Sequence, residues 1–498
     1  MDKISVSPLT GKRYPIPAVL SDRINIDRFV ALHTSKKVVA VQGLGFVGAI
    51  MSLIVANALT EEYAVIGIDL PNPGSYWKIA SLNEGTFPVS SSDKKIDEFY
   101  RNARLKNNLY ATYDTYAYAV SNVVIVDINL DVKKVSDDDK QLQGYDVNLS
   151  LFKKAIESIA LNCRSDILVL VETTVPPGTC EKIIKLLFER IFNERGLEHN
   201  YKIGHSYERV MPGSGYIDSI QNFSRVYSGV NGESAEATRL FLQTIISTAE
   251  YPLTRMKSTN ASEMAKVLEN SYRAMNIAFV EEWGEFAEEA GVDLYEVIHA
   301  IRLRSTHSNL MFPGIGVGGY CLPKDHLLAS WSRMNLFNGE RNLPQTETAV
   351  RINDRMPYHT FRVIQKNCPE LSGRSVLLLG LSYLSNVGDT RHTPVEYLHD
   401  LLKREGAEIT ITDPYISMWE EKQMPISGDL RKTLSKTYDI TVCCARHGDY
   451  LHAAEWKQYL SRLVNSFVLD VCLLLSEADI AMLKQNNNRV KVLGRGDI

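Results

Sequence analysis

The chain has 498 residues, 45% of them apolar and 23% charged, with a net charge of −4 at pH 7. This is ordinary globular composition with room for two to four sizeable cores, and it lacks the basic surplus that nucleic-acid or anionic-membrane binding needs. The seven cysteines, at 163, 180, 321, 368, 443, 444 and 472, include no C-x-x-C pair and no metal-ligand spacing, so a reduced, cytoplasmic chain without a metal centre is expected.

Residues 1–36 are read as an irregular N-terminal extension with one short helix near Ile24–His33. It carries prolines and charges but no apolar run of the signal-peptide kind. "KKVVAVQGLGFVGAIMSLIVANAL" follows and predicts a buried strand, a glycine turn and a helix. Its apolar part, Phe46–Leu59, is short and holds Ser52 and Asn57, so it is no membrane span. Further strands are predicted at 63–69, 121–128 and 166–175, with helical patterns between them, such as 148–162. Strands alternating with helices predict a parallel, doubly wound sheet.

The texture changes at Ser258. One long helical pattern runs from there to Gly291, and helical signals continue to about residue 308. A glycine-rich stretch, "GIGVGGYCLPKD" (314–325), comes next, and then another helical stretch. The alternation returns with strands at 373–383, 407–414, 439–444, 466–471 and 489–494. These predict a second, smaller parallel sheet.

In "GLGFVG", Gly43, Gly45 and Gly48 have G-x-G-x-x-G spacing between a predicted strand and a helix, and Asp69 ends the next strand. That context is the dinucleotide fingerprint. Gly43 permits the turn, Gly45 lets the backbone approach a pyrophosphate, and Gly48 lets helix and strand pack closely. The helix N-terminus would face the phosphates. Asp69 would accept from the adenosine ribose and repel a 2′-phosphate, so NAD is expected. The fold class is therefore α/β, with two doubly wound Rossmann-like parallel-sheet domains joined by a long central helix. The boundaries are 1–36 for the extension, 37–255 for the NAD-binding domain, 256–355 for the central helical part with the thiol loop, and 356–498 for the C-terminal α/β domain.

On the long helix, Glu263, Lys266, Asn270 and Arg273 share one face. Such a face is commonly a solvated charged stripe, but a lysine beside an amide could also hold an oxyanion. Cys321 stands among glycines, with Lys324 and Asp325 following. A core cysteine needs no glycine neighbours. Glycines let a ligand or another backbone come close, and a nearby cation favours the thiolate. These features make Cys321 a candidate covalent nucleophile.

Seven motifs occur here in the order seen in the nucleotide-sugar 6-dehydrogenases, the UDP-glucose and UDP-N-acetylhexosamine dehydrogenases. They are "GLGFVG", "ETTVPPGT" (172–179), "ERVMPG" (208–213), "EMAKVLENSYRAMNIAF" (263–279), "GVGGYCLPKD" (316–325), "GDTRHTP" (388–394) and "DPY" (413–415). The chain resembles that family from about residue 37 onward. The resemblance implies a four-electron oxidation of a sugar C6 alcohol to a carboxylate with two NAD reduced in turn. Catalytic roles fall to Cys321, Lys266, Asn270, Asp325 and Glu208. Cofactor contacts fall to Gly43, Gly45, Phe46, Val47, Gly48, Asp69, Thr174 and Lys324. Substrate contacts fall to Glu208, Arg209, Lys266, Asn270, Gly318 and Arg391, the last with a plain structural salt bridge as its alternative. The resemblance also implies a nucleotide-binding C-terminal domain, a homodimer built on the long helix, and a role in making polysaccharide precursors.

Three departures stand out. Leu130 lies near the place where the family has a threonine thought to help order water. Tyr207 replaces a proline before Glu208. Leu384 replaces a substrate-touching lysine. The motifs lean to a UDP-N-acetylhexosamine as substrate, with UDP-glucose as the alternative. A two-electron dehydrogenase of the β-hydroxyacid type and a non-catalytic nucleotide-sugar binder remain open on the sequence.

Overall fold

The computed structural model describes residues 3–18, 21–89, 91–137, 142–209, 213 and 215–498. The chain forms two compact units. One holds residues 1–132, 147–267 and 331–342, and the other holds residues 133–146, 268–330 and 343–498.

The first unit is built on an eight-stranded sheet. In order across it the strands are Leu253–Arg255, Arg225–Gly229, Lys202–His205, Leu168–Val171, Val123–Val126, Lys37–Gln42, Tyr63–Ile68 and Leu109–Thr112. Central runs such as Val123–Val126 are buried throughout, as strands covered by helices on both faces must be. From Lys37–Gln42 the chain steps outward twice, then returns to Val123–Val126 on the other side. That reversal opens a crevice beyond the carboxyl ends of the strands. The expected parallel pairing is found in all but one place: Lys202–His205 and Arg225–Gly229 run antiparallel. These two strands and Leu253–Arg255 escaped the sequence reading. They are short and carry Lys202, His205, Arg225 and Ser228 where an apolar run would have marked them.

The N-terminal segment is more ordered than expected. Ile4–Val6 and Arg13–Pro15 pair as a hairpin, and Arg23–Ala31 is helical. Phe29 stacks on Tyr110. Asp22 accepts from the hydroxyls of Tyr110 at 2.6 Å and Thr112 at 2.7 Å. The segment thereby covers the edge strand Leu109–Thr112, whose open side would otherwise invite pairing with another chain.

The second unit holds a five-stranded, wholly parallel sheet. Its order is Glu408–Thr412, Ser375–Leu379, Ile440–Cys443, Phe467–Asp470 and Arg489–Val492. The long helix is Thr259–Ala290, ended by Gly291 with φ of 72°. A second long helix spans Pro344–Asn367. An unforeseen two-stranded ribbon, Val132–Ser136 with Leu142–Val147, meets that helix. Lys134 pairs with Asp354 at 2.8 Å, and the Tyr145 hydroxyl donates to Glu347 at 2.6 Å.

Both sheets carry the same turn after their first strand. Gly43 and Gly380 have φ of 100° and 103°, the left-handed region that favours glycine. Their N–H groups donate across to Ile68 and Thr412 at 2.8 and 2.9 Å. The next amides, Leu44 and Leu381, donate to Asp69 and Asp413 at 3.1 and 2.8 Å. The aspartate ending the second strand thus fixes the turn after the first in each sheet, a likeness the sequence does not reveal.

Candidate active site

In the first unit the glycine turn is packed to its limit. A Cβ at Gly43 would stand 2.4 Å from the Asp127 carbonyl, and one at Gly48 would stand 1.9 Å from the Gly43 carbonyl. At Gly45 a Cβ would meet nothing. Helix Phe46–Ala56 starts there with no side-chain cap. Phe46 is exposed and Val47 half-buried. This arrangement fits an anionic group laid against the turn, because the uncapped helix start offers N–H donors and a positive dipole end. Asp69 is almost buried. One of its oxygens takes the Leu70 amide at 2.7 Å. The other takes the Leu44 amide at 3.1 Å and the Lys78 ammonium at 3.1 Å. Thr174 is half-buried just after Thr173, whose hydroxyl ties to the Val126 and Ile128 carbonyls at 3.0 Å.

Glu208 and Lys266 are brought together in the same unit. The Lys266 ammonium donates to the Glu208 carbonyl at 2.9 Å and lies 3.9 Å from its carboxylate. It also stands 5.3 Å from the Tyr207 ring centre. Tyr207, the departure from proline, therefore supplies a π-face for the lysine. The Arg209 guanidinium sits over the rings of Tyr207 and Phe223. Val210–Pro212 of the "ERVMPG" motif lie outside the described residues. Glu263, buried one turn before Lys266, accepts from the Gly178 and Cys180 amides at 2.6 and 2.8 Å. It closes a helix start, and burial pushes its carboxyl up to about 7.

The second unit holds the thiol loop. Cys321 is half-buried, and its carbonyl accepts from the Asp325 amide at 2.9 Å, which opens helix Asp325–Asn335. The buried Asp325 carboxylate binds on both oxygens: Lys324 at 3.0 Å and the Asn270 amide at 3.0 Å. The Lys324 ammonium also lies 4.0 Å from the Tyr320 ring centre. Arg391 makes a bidentate pair with Asp389, at 2.6 Å for its closest contact, so the salt bridge read as its alternative is present. Its carbonyl takes the Gly319 amide at 2.9 Å. The loop glycines serve backbone approach. A Cβ at Gly318 would stand 2.4 Å from the Tyr383 Cβ and 2.9 Å from the His392 carbonyl. The exposed Leu384 follows Tyr383.

Three residues were missed, one in the second unit and two in the first. Tyr383 covers the Gly319 backbone. Its phenol is pushed up to about 12 by burial and the Asp389 carboxylate, and Arg273 and Cys321 lie within electrostatic range. Its only signal was an aromatic beside the departing Leu384. Lys78 belongs to the next helix, at no fixed local spacing from Asp69. Asp127 ends the apolar run Val123–Val126, which was a legible signal. Burial, with Glu172 and Glu208 nearby, raises its carboxyl well above the usual range.

Among the described residues no group of three His, Cys, Asp or Glu side chains could hold a metal ion, and no helix is long and apolar enough to cross a membrane.

Three family models match the chain in turn. They are the NAD binding domain (37–245), the central domain (259–355) and the UDP binding domain (377–477) of the UDP-glucose/GDP-mannose dehydrogenase family. The UDP-N-acetyl-D-mannosamine dehydrogenase of Pyrococcus horikoshii is 28% identical over 92% of this chain and 100% of its own. The enzyme of that name from Methanocaldococcus jannaschii is 29% identical over 92% and 97%. Among solved structures, a UDP-D-ManNAc dehydrogenase from P. horikoshii superposes with a TM-score of 0.75 at 27% identity, covering 93% of this chain and 100% of that one. A UDP-glucose dehydrogenase from Pyrobaculum islandicum shares the fold, with a TM-score of 0.72 at 20% identity over 91% and 97%.

Proposed function

The chain belongs to the UDP-glucose/GDP-mannose dehydrogenase family and is an NAD-dependent oxidoreductase acting on a nucleotide sugar; we propose that it oxidises the C6 alcohol of a UDP-N-acetylhexosamine to the carboxylate through Cys321. The balance is one alcohol, one water and two NAD giving one carboxylate, two NADH and three protons. NAD, held at the Gly43–Gly48 turn and by Asp69, would supply the hydride acceptor for each of the two oxidations. The chain's own residues do the rest. Lys266 takes up charge on the substrate oxygen as the hydroxyl proton leaves. The Cys321 sulfur adds to the aldehyde carbon, so the reactive aldehyde stays bound as a thiohemiacetal. Its oxidation leaves a thioester. Asn270 donates to the oxyanions, and Glu208 takes a proton from the water that releases the acid. Asp325, with both oxygens engaged, orients Asn270 and Lys324.

The observation carrying this reading is that network: a buried carboxylate holds an amide and an ammonium beside the loop that bears a half-buried thiol. The names of the relatives support the N-acetylhexosamine. The test is NADH formed per sugar consumed across UDP-N-acetylmannosamine, UDP-N-acetylglucosamine, UDP-glucose, UDP-galactose and GDP-mannose. Two NADH with a UDP-N-acetylhexosamine is the expected result. One NADH per sugar would remove the need for Cys321 and point to a two-electron enzyme.

The same reading includes a homodimer. Helix Thr259–Ala290 exposes Leu268, Tyr272, Phe279, Trp283 and Phe286, each about half-exposed or more. A contiguous apolar stripe on one helix marks an interaction surface. The protein is expected at twice its 56.0 kDa chain mass in light scattering. Trp283→Glu is expected to yield monomer at micromolar concentration, and an unchanged mass for that variant would refute the helix as the interface.

A further inference from the structure

The N-terminal hairpin is built inside out. Its alternation offers Ile4 and Val6 on one face and Ser5 and Ser7 on the other. An amphipathic hairpin would bury the apolar pair. Instead Ser5 and Ser7 are buried, with Tyr14 across from Ser5, while Ile4 and Val6 are 38% and 47% exposed. The face was selected by hydrogen bonding. The Ser5 hydroxyl donates to the Pro73 carbonyl at 2.7 Å and accepts from the Trp77 amide at 2.9 Å.

Those partners bracket the start of helix Tyr76–Glu84, whose own N-cap residue, Ser75, makes no side-chain cap. An N-cap side chain ordinarily accepts from the second or third helical amide. Trp77 is the second, so Ser5 performs that task from a distant segment. The Trp77 indole closes the turn further by donating to the Gly74 carbonyl at 3.1 Å. The next residue, Lys78, holds Asp69, and Asp69 holds the Leu44 amide of the glycine turn. A continuous chain of contacts runs from Ser5 through Trp77, Lys78 and Asp69 to the turn.

We infer that Ser5 is a positioning residue for the adenosine side of the cofactor site. It caps helix Tyr76–Glu84 from outside, so that Lys78 and Asp69 stay in register with the glycine turn. This rests on the reading of Asp69 as the ribose acceptor.

The experiment measures NAD and UDP-sugar affinity by calorimetry on four full-length variants. Ser5→Ala is expected to weaken NAD about fivefold or more, the scale of losing one N-cap, and to leave UDP-sugar affinity unchanged. Lys12→Ala removes an exposed ion pair between the same hairpin and Glu84, and is expected to change neither. Asp69→Ala tests the underlying reading: unchanged NAD affinity there would overturn the assignment of Asp69, and the inference with it. If Asp69→Ala weakens NAD while Ser5→Ala only lowers Tm, Ser5 is merely structural and the inference fails. Should Ser5→Ala not fold, hydrogen exchange on the unmodified protein decides. Residues 3–16 and 70–85 are expected to gain protection together when NAD is added, and protection confined to 70–85 would overturn the proposal. A Lys78→Gln variant with undiminished NAD affinity would likewise break the chain of contacts.

Discussion

Cys321→Ser is expected to lower carboxylate formation by at least about 10³-fold while UDP-sugar affinity stays within about twofold. The serine hydroxyl is nearly isosteric with the thiol but is not ionised at neutral pH, and the carboxylates nearby are committed elsewhere. Asp325 is bound by Lys324 and Asn270 and cannot turn to serve as a base for a new hydroxyl. The first oxidation needs no sulfur, so aldehyde is the expected trapped product, with one NADH per sugar. A chemical companion experiment uses the other thiols as internal controls. Cys163, Cys180, Cys443 and Cys444 are buried, Cys368 and Cys472 are half-buried, and burial pushes the thiols of all six up. One equivalent of iodoacetamide is therefore expected to label Cys321 first, read by peptide mass spectrometry, with activity lost in proportion. Full turnover by Cys321→Ser with two NADH per sugar would sink the covalent route.

What the sequence could reveal depended on whether the deciding interactions were local. The turn "GLGFVG", the helix closed by Gly291 and the parallel strands with four apolar residues in a row are all set by near neighbours, and the structure has them. The hairpin at Ile4–Val6 defeats any pattern reading because its inward face is chosen by Pro73 and Trp77, some seventy residues away. The glycines before Cys321 were legible as close approach, but not what approaches: Tyr383 and His392 press on them from the second sheet's first loop. Arg391 was ambiguous because the sequence does not say how a guanidinium two residues from Asp389 will turn. The shared face of Lys266 and Asn270 was legible from spacing alone. The partners of Glu263 on the same helix were not, since its carboxylate answers to amides at Gly178 and Cys180.

Arg225→Met is expected to destabilise the protein by about 3–5 kcal/mol, the usual cost of breaking a buried pair from one side. Arg225 and Glu172 meet at 2.7 Å with side chains 1% and 0% exposed. Asp127 and Glu208 add acid to the same neighbourhood, and burial holds the Asp127 carboxyl well above the usual range. The Arg225 guanidinium offsets the Glu172 carboxylate. Without the guanidinium, Glu172 must either stay charged in a dry site or take a proton. The sign of the pH dependence follows. Burial, partly offset by Arg225, already raises the Glu172 carboxyl in the folded state, and losing the arginine raises it further. The folded variant then binds more protons than the unfolded chain, so its stability falls as pH rises from the unfolded value near 4.3 toward the folded one. The deficit relative to the unmodified protein is expected to be larger at pH 8 than at pH 5, read as Tm. Arg225→Met combined with Glu172→Met removes both charges and is expected to regain most of the loss. Equal deficits at both pH values, with no recovery in the double variant, would assign the effect to packing alone. The cluster stands at the carboxyl ends of the strands, where Glu208 also lies. The double variant that restores Tm is therefore also expected to change kcat, because the removed pair lies within electrostatic range of Glu208, to which the proposed reading gives the activation of water.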